Sequence, residues 1–276
     1  MRLARVDEGG GPRDAVERDG RLVALPGSPV MSEDHETTAR EIAAGGGVGE
    51  DLGAAADLPR LAPWSPGKIV AIGLNYADHI RETGMARPAL PLIFAKFPNS
   101  VAGPADDIVL DAELTRRVDW EVELGVVIGR RMRNVPESDV FEHVLGYTVA
   151  NDVSARDVQL SEGQWVRGKS FDTFCPIGPV VVTREEIADP QALGLRTLVN
   201  GRVVQDSTTA EMLFGVGELL AYCSRSFTLE RGDLLLTGTP WGCGEWSEPQ
   251  RSLAVGDVVE CEVDGIGALR NRVVAP

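Results

Sequence analysis

The chain has 276 residues, 43% hydrophobic and 25% charged, with a formal net charge of −15 from 42 acids against 27 bases. That composition excludes a disordered chain or a coiled coil; no apolar run approaches the roughly 18 residues of a membrane span, and the first residues lack the apolar stretch of a secretory signal. So acidic a surface repels phosphate backbones and anionic lipid, so neither nucleic acid nor a membrane is an expected partner, and an anionic substrate would need a local cation.

The predicted elements start with a small α+β unit and linker over residues 1–67. RLARV and GRLVAL read as short strands, and SEDHETTAREIAAGGG as a short helix stopped by glycines. PRLAPWSPGK, with three prolines in ten residues, reads as the linker. A larger domain over 68–276 follows. KIVAIG is a strand, and NYADHIRETG a short helix closed by Gly84. PLIFAKF, DWEVELGVVIG, HVLGYTVAND, GPVVVT, DLLLTGTP and DVVECEVDGIGALRNRVV are strand-like, and VNGRVV carries an Asn-Gly hairpin turn. TAEMLFGVGELLAYCSR is the longest helical stretch. Strands and helices do not alternate and no GxGxxG follows a strand, which disfavours a Rossmann domain and a TIM barrel. The expected fold is β-rich α+β, a sandwich or rolled sheet with a few helices.

Cys175, Cys223, Cys243 and Cys261 show no zinc spacing and read as reduced thiols of a cytoplasmic protein. Only Lys68, Lys96 and Lys169 are lysines among the 27 bases, so a lysine kept here is a candidate for a role arginine cannot fill. Histidine is limited to His35, His79 and His143, with His35 expected at the surface.

Four segments can carry chemistry. In DWEVELG, Glu121 and Glu123 alternate onto one strand face while Val122, Leu124, Val126 and Ile128 take the other. The spacing fits an exposed strand with solvated acids as well as a metal site. Asp152, ending HVLGYTVAND, adds a third acid, although Asn151 and Asp152 equally suit a cap. Three carboxylates with no charge partner in view call for a cation, and an all-oxygen set suits Mg²⁺ or Mn²⁺. His79 and Glu82 share a helix face, so Glu82 can hold the imidazole as a base; a surface polar pair has the same spacing. Gly168 before Lys169 permits close approach of a ligand, or simply a turn. LTGTPWGCG, with Gly238 and Thr239, runs a strand into a Gly-rich loop whose N–H groups can bind a carboxylate, or into an ordinary tight turn.

Taken together, GLNYADHIRETG, DWEVELGVVIG, NDVSARD, GKSFDTFCPIGP, NGRVVQDSTTAEMLF and TGTPWGCG resemble, in order, the fumarylacetoacetate hydrolase family over about 68–276. The likeness is to bacterial members that include acylpyruvate hydrolases, oxaloacetate decarboxylases and hydroxyheptadienedioate isomerases. It implies a mixed β-sandwich roll, a homodimer, divalent-metal ligands at Glu121, Glu123 and Asp152, a catalytic His79–Glu82 pair and an active-site Lys169. Gln159 and Arg156 in ARDVQ, and Gly238 and Thr239 in TGTP, fall where the family contacts substrate. It also implies that the His79 segment is a lid. Relatives often follow TGTP with Gly-Val-Gly and basic residues; here the stretch is Gly242-Cys243-Gly244-Glu245-Trp246-Ser247-Glu248, whose acids would disfavour a second substrate carboxylate if they faced the site.

The expected activity is therefore metal-dependent C–C cleavage of a 2,4-dioxo acid such as an acylpyruvate, with His79 activating water. Decarboxylation of an oxaloacetate-type acid, or isomerisation of a 2-oxo-heptenedioate, would use the same residues. A binding protein without turnover is the reading from another class, and the complete residue set argues against it.

Overall fold

The computed structural model describes residues 1–276. Three N-terminal strands, β1 (Arg2–Asp7), β2 (Pro12–Arg18) and β3 (Arg21–Ala24), precede helix α1 (Glu33–Ala43) and strand β4 (Asp51–Ala54). Ser32 caps α1, accepting from the His35 N–H, with Glu33, Asp34 and Glu36 in the first turn where the helix dipole favours acids. β2 was not expected: in PRDAVER only Ala15 and Val16 are fully buried, so the apolar signal is two residues long.

The chain continues through β5 (Ile69–Gly73), α2 (Ala77–Thr83), β6 (Leu92–Lys96), β7 (Val101–Ala102), β8 (Ile108–Val109) and β9 (Val118–Asp119). Then come β10 (Val122–Ile128), β11 (Val144–Asn151), β12 (Ser154–Ala155), α3 (Arg156–Glu162), α4 (Val166–Lys169) and β13 (Cys175–Thr183). The last elements are β14 (Gly194–Val199), β15 (Arg202–Thr208), α5 (Val216–Ser226), β16 (Leu234–Leu236), β17 (Val258–Val263) and β18 (Gly267–Val274). This is the strand-rich α+β architecture that the pattern predicts. The β14–β15 hairpin turns at Asn200-Gly201, with φ of 51° and 75°, the left-handed pair that an Asn-Gly turn requires. Helix α5 starts at Val216, seven residues later than the sequence pattern suggested, because Gly215 caps it and residues 209–211 form a separate 3₁₀ turn.

One sheet of 11 strands runs β4-β3-β2-β1-β13-β11-β10-β16-β5-β6, with β7 paired to β13, and a five-stranded sheet runs β15-β14-β17-β18-β8. The N-terminal strands thus continue the large sheet, β1 pairing antiparallel with β13 through Arg2↔Val182 and Leu3↔Val181. Alternation along β10 divides its two faces as expected. Val122, Leu124, Val126 and Ile128 join the core shared with α5 and the five-stranded sheet. Val127 points the other way, into a second core with Ile69, Leu145, Leu236 and the Ala39–Ile42 face of α1. Glu121 and Glu123 share the parity of Val127 and lie at the end of that second face.

The proline-rich stretch makes no regular structure, yet it is no loose tether. Trp64 is fully buried in the second core, and its indole N–H donates to the Gly232 carbonyl at 2.8 Å. Trp64→Ala is expected to lower unfolding free energy by about 3–5 kcal/mol, the range for emptying a buried aromatic site. Urea unfolding checks this, and a loss near zero would show that the stretch contributes no packing.

Candidate functional site

The carboxylate cluster forms where β10, β11, β6, α3 and α4 meet. The Glu121 N–H donates to the Asn151 side-chain oxygen at 3.0 Å, and the Asp152 N–H to the Glu121 carbonyl at 2.9 Å, so the ends of β10 and β11 fix both acids. The carboxylate oxygens of Glu121, Glu123 and Asp152 lie within 4.8 Å of one another, all buried. These acids do have charge partners, contrary to the expectation from sequence. Lys169 Nζ donates to Glu121 at 2.7 Å and to Asp152 at 2.8 Å, and Lys96 Nζ donates to Asp152 at 2.6 Å. Arg156, also buried, pairs with Glu121 at 2.6 Å and with Asp119 at 2.9 Å, and donates to Gln159 at 2.9 Å. The sequence could not show these pairs, because the partners lie on separate elements.

The balance is uneven. Asp119, Glu121, Glu123 and Asp152 face only Lys96, Arg156 and Lys169. Glu123 is the carboxylate without a cation; its bond is to the Gly238 N–H at 2.8 Å. Burial, then the charges of Asp152 and Glu121, push the Glu123 carboxyl well above the usual range. Burial also works against ionised Glu121, but Lys169 and Arg156 outweigh it and hold that carboxyl at about 2. A hard divalent cation beside Glu123 would compensate the surplus charge, so the donor set fits one.

His79 approaches from α2, its Nδ1 3.0 Å from Glu82. The other Glu82 oxygen accepts from the Gly242 N–H at 2.9 Å, and Asp78 accepts from the His79 N–H at 2.7 Å and the Ser207 hydroxyl at 2.5 Å. Asn75 ties the start of this segment to the Phe214 backbone and to the Thr237 carbonyl at 2.8 Å. The Gly-rich loop does bind carboxylates through its N–H groups, but they are the protein's own. Gly238 holds Glu123, Gly242 holds Glu82, and Gly244 and Glu245 hold Asp119 at 2.7 and 3.1 Å. Thr239 donates to the Val122 carbonyl at 3.0 Å and accepts from Gln205 at 2.9 Å.

A cavity of about 40 Å³ opens among these groups, lined by His79, Glu121, Glu123, Arg156, Gln159, Lys169 and Thr239. Glu82, Asp152 and Gly238 stand one contact behind, touching His79, Lys169 and Glu123 respectively. Gly168 serves a different contact from the expected one: a side chain there would meet the Gln159 nitrogen at 2.9 Å, so it lets α4 pack on α3. The rim acids do not line the cavity. Glu245 is paired with Arg117 and Glu248 is exposed; Trp246 supplies the wall from that stretch. A larger groove of about 650 Å³ beside α5 has one cation, Arg184, among four acids and no histidine or lysine. His143 is not in the site; its ring bonds the Arg131 carbonyl.

Lys96, Asp119, Asp78, Asn75 and Gln205 escaped sequence reasoning as site residues. Lysine scarcity was a usable signal for Lys96; Asn75, Asp78, Asp119 and Gln205 lie inside the motifs quoted above, but their spacing gave them no role. The four cysteines are free and buried, and burial raises the Cys175, Cys223 and Cys261 thiols to about 12. Glu123→Gln should abolish divalent-cation binding by calorimetry while leaving the metal-free melting temperature equal or higher, because it relieves repulsion from Asp152 and Glu121. A large drop would mark Glu123 as structural. Lys96→Met, by contrast, strips Asp152 of one buried partner and should cost about 3–5 kcal/mol in denaturant unfolding.

The family profile described as fumarylacetoacetate (FAA) hydrolase C-terminal matches residues 68–274. A mitochondrial oxaloacetate tautomerase, fahd2, of Xenopus laevis is 49% identical over 221 residues, 79% of this chain and 69% of that one. The solved fumarylacetoacetate hydrolase of Exiguobacterium antarcticum superposes with a TM-score of 0.87 at 37% identity over the whole of both chains. The 2-hydroxyhepta-2,4-diene-1,7-dioate isomerase of Mycobacterium marinum gives 0.81 at 37% identity, over 100% of this chain and 98% of that one. With three quarters of its length matched and its full architecture shared, this chain belongs to the fumarylacetoacetate hydrolase family of enzymes.

Proposed function

We propose that the chain catalyses proton transfer at the carbon beside the 2-oxo group of a short 2-oxo acid, an oxaloacetate-type keto–enol tautomerisation. The observation that carries this reading is the placement of a fixed base opposite a fixed cation in one small cavity. His79, with Nδ1 held by Glu82, presents its other nitrogen to take or return a proton. Lys169 spends two of its three N–H donors on Glu121 and Asp152, which leaves the third for the oxygen where negative charge develops. Arg156 and Gln159 line the same cavity and suit the substrate carboxylate. Mg²⁺ or Mn²⁺ held by Glu121, Glu123 and Asp152 would supply Lewis-acid polarisation of the substrate oxygens. The tautomerase names of the relatives that share almost half their residues with this chain support the choice of substrate.

C–C cleavage of an acylpyruvate is the second reading. The His79–Glu82 pair favours it, since an oriented imidazole is also what activates a water. The −15 charge speaks against nucleic-acid and membrane partners, and no helix is long and apolar enough to cross a membrane. Four free thiols support a reducing compartment, cytoplasmic or, as the names of the relatives have it, mitochondrial, and the family resemblance supports a homodimer.

The deciding assay compares, in Mg²⁺ or Mn²⁺, conversion of enol to keto oxaloacetate, decarboxylation of oxaloacetate, cleavage of acetylpyruvate and isomerisation of a 2-oxo-heptenedioate. Enol conversion without acetylpyruvate cleavage supports the first reading; turnover of none of them sinks both. EDTA should remove the activity and Mg²⁺ or Mn²⁺ restore it. His79→Ala should lower kcat roughly 10²–10⁴-fold, the usual contribution of a positioned base, and Glu82→Gln should lower it less. Unchanged rates in both variants would take His79 and Glu82 out of the chemistry and leave α2 a packing element.

A further inference from the structure

Trp246, in the loop that follows β16, lines the cavity. Its ring meets the His79 imidazole edge-on with centroids 5.0 Å apart, and the Arg156 guanidinium lies 4.7 Å from its centroid. The indole thus touches both the base and the carboxylate-binding cation. Its loop is pinned rather than free. The Gly244 and Glu245 N–H groups bond Asp119, the Trp120 indole donates to the Gly242 carbonyl at 3.0 Å, the Arg251 N–H donates to the Gly244 carbonyl at 2.9 Å, and Glu245 pairs with Arg117.

We propose that Trp246 is a specificity-determining residue that limits the size of the group attached beyond the reacting carbon, an assignment that rests on the 2-oxo acid reading above. The head of such an acid would be drawn by Lys169, and by a divalent cation held at Glu121, Glu123 and Asp152, to that end of the cavity. The carbon that exchanges a proton must then lie against His79. Whatever that carbon carries next meets the ring packed against His79. A rigid indole there restricts the space for that substituent and disfavours a long acyl or alkyl tail by contact. The Arg156 guanidinium keeps its place without the stack, because Asp119, Glu121 and Gln159 already hold it.

The test measures ligand length without requiring turnover. Dissociation constants of oxalate and of N-hexyl oxamate are determined by calorimetry with Mg²⁺ for the parent protein, Trp246→Ala and Trp246→Leu. Trp246 is only partly buried and belongs to neither hydrophobic core, so neither variant empties a core site, and the leucine form retains apolar cover over His79. The parent should prefer oxalate. The ratio of the two constants should move toward the long ligand by roughly tenfold or more in the alanine variant, and by less in the leucine variant, in line with what a few methylenes are worth in an apolar pocket. A ratio within about twofold of the parent in both variants would overturn the assignment while leaving the 2-oxo acid reading intact. Failure of the parent to bind oxalate would overturn both.

Discussion

Four carboxylates and three cations share a water-poor space at one end of the large sheet, and much of the active half of the molecule is arranged around them. An ionised side chain stripped of water is costly unless it is paired and hydrogen-bonded. Here the pairs form a chain: Lys96 to Asp152, Asp152 to Lys169, Lys169 to Glu121, Glu121 to Arg156, Arg156 to Asp119. The members come from β6, the end of β11, α4, the start of β10, α3 and β9, so the whole network closes only when all these elements are in place. The network also gives a protein of net charge −15 a local concentration of fixed positive groups, which an anionic substrate needs. Glu123, left over, is where a divalent cation has most to compensate.

The base side of the site is held by other means. Helix α2 is seven residues long, well under the roughly 12–15 that an isolated helix needs for even marginal stability, so its shape is imposed by docking. Asn75 anchors its entry, Asp78 and Glu82 fasten it to Ser207 and to the loop after β16, and Arg81 reaches Glu211. The loop after β16 therefore has a double duty. Its successive N–H groups bind Glu123 and Asp119 on the charge side and Glu82 on the base side. A shift in that loop would move both halves of the chemistry together.

The local pattern in the sequence determined a good deal. Alternation along DWEVELGVVIG settled which face of β10 is core, because neighbouring strand residues must point to opposite sides. Asn200-Gly201 announced its turn, because few other pairs accept two left-handed residues. The ExE pair, the His79–Glu82 spacing and the rarity of lysine marked side chains that line one cavity or, as Glu82 and Lys96 do, stand behind it. What tertiary structure alone decided was partnership. Lys96 and Asp152 are 56 positions apart, Arg156 and Asp119 are 37, and Glu123 and Gly238 are 115. Periodicity records the face a residue takes on its own element and nothing about which element arrives opposite. For the same reason the acids looked unpartnered, the Gly-rich loop looked free for a ligand, and Trp64 in its proline-rich stretch looked like linker. Burial of a charge, an N–H or an indole is decided by the assembly of distant segments, so those assignments could be made only once the fold was known.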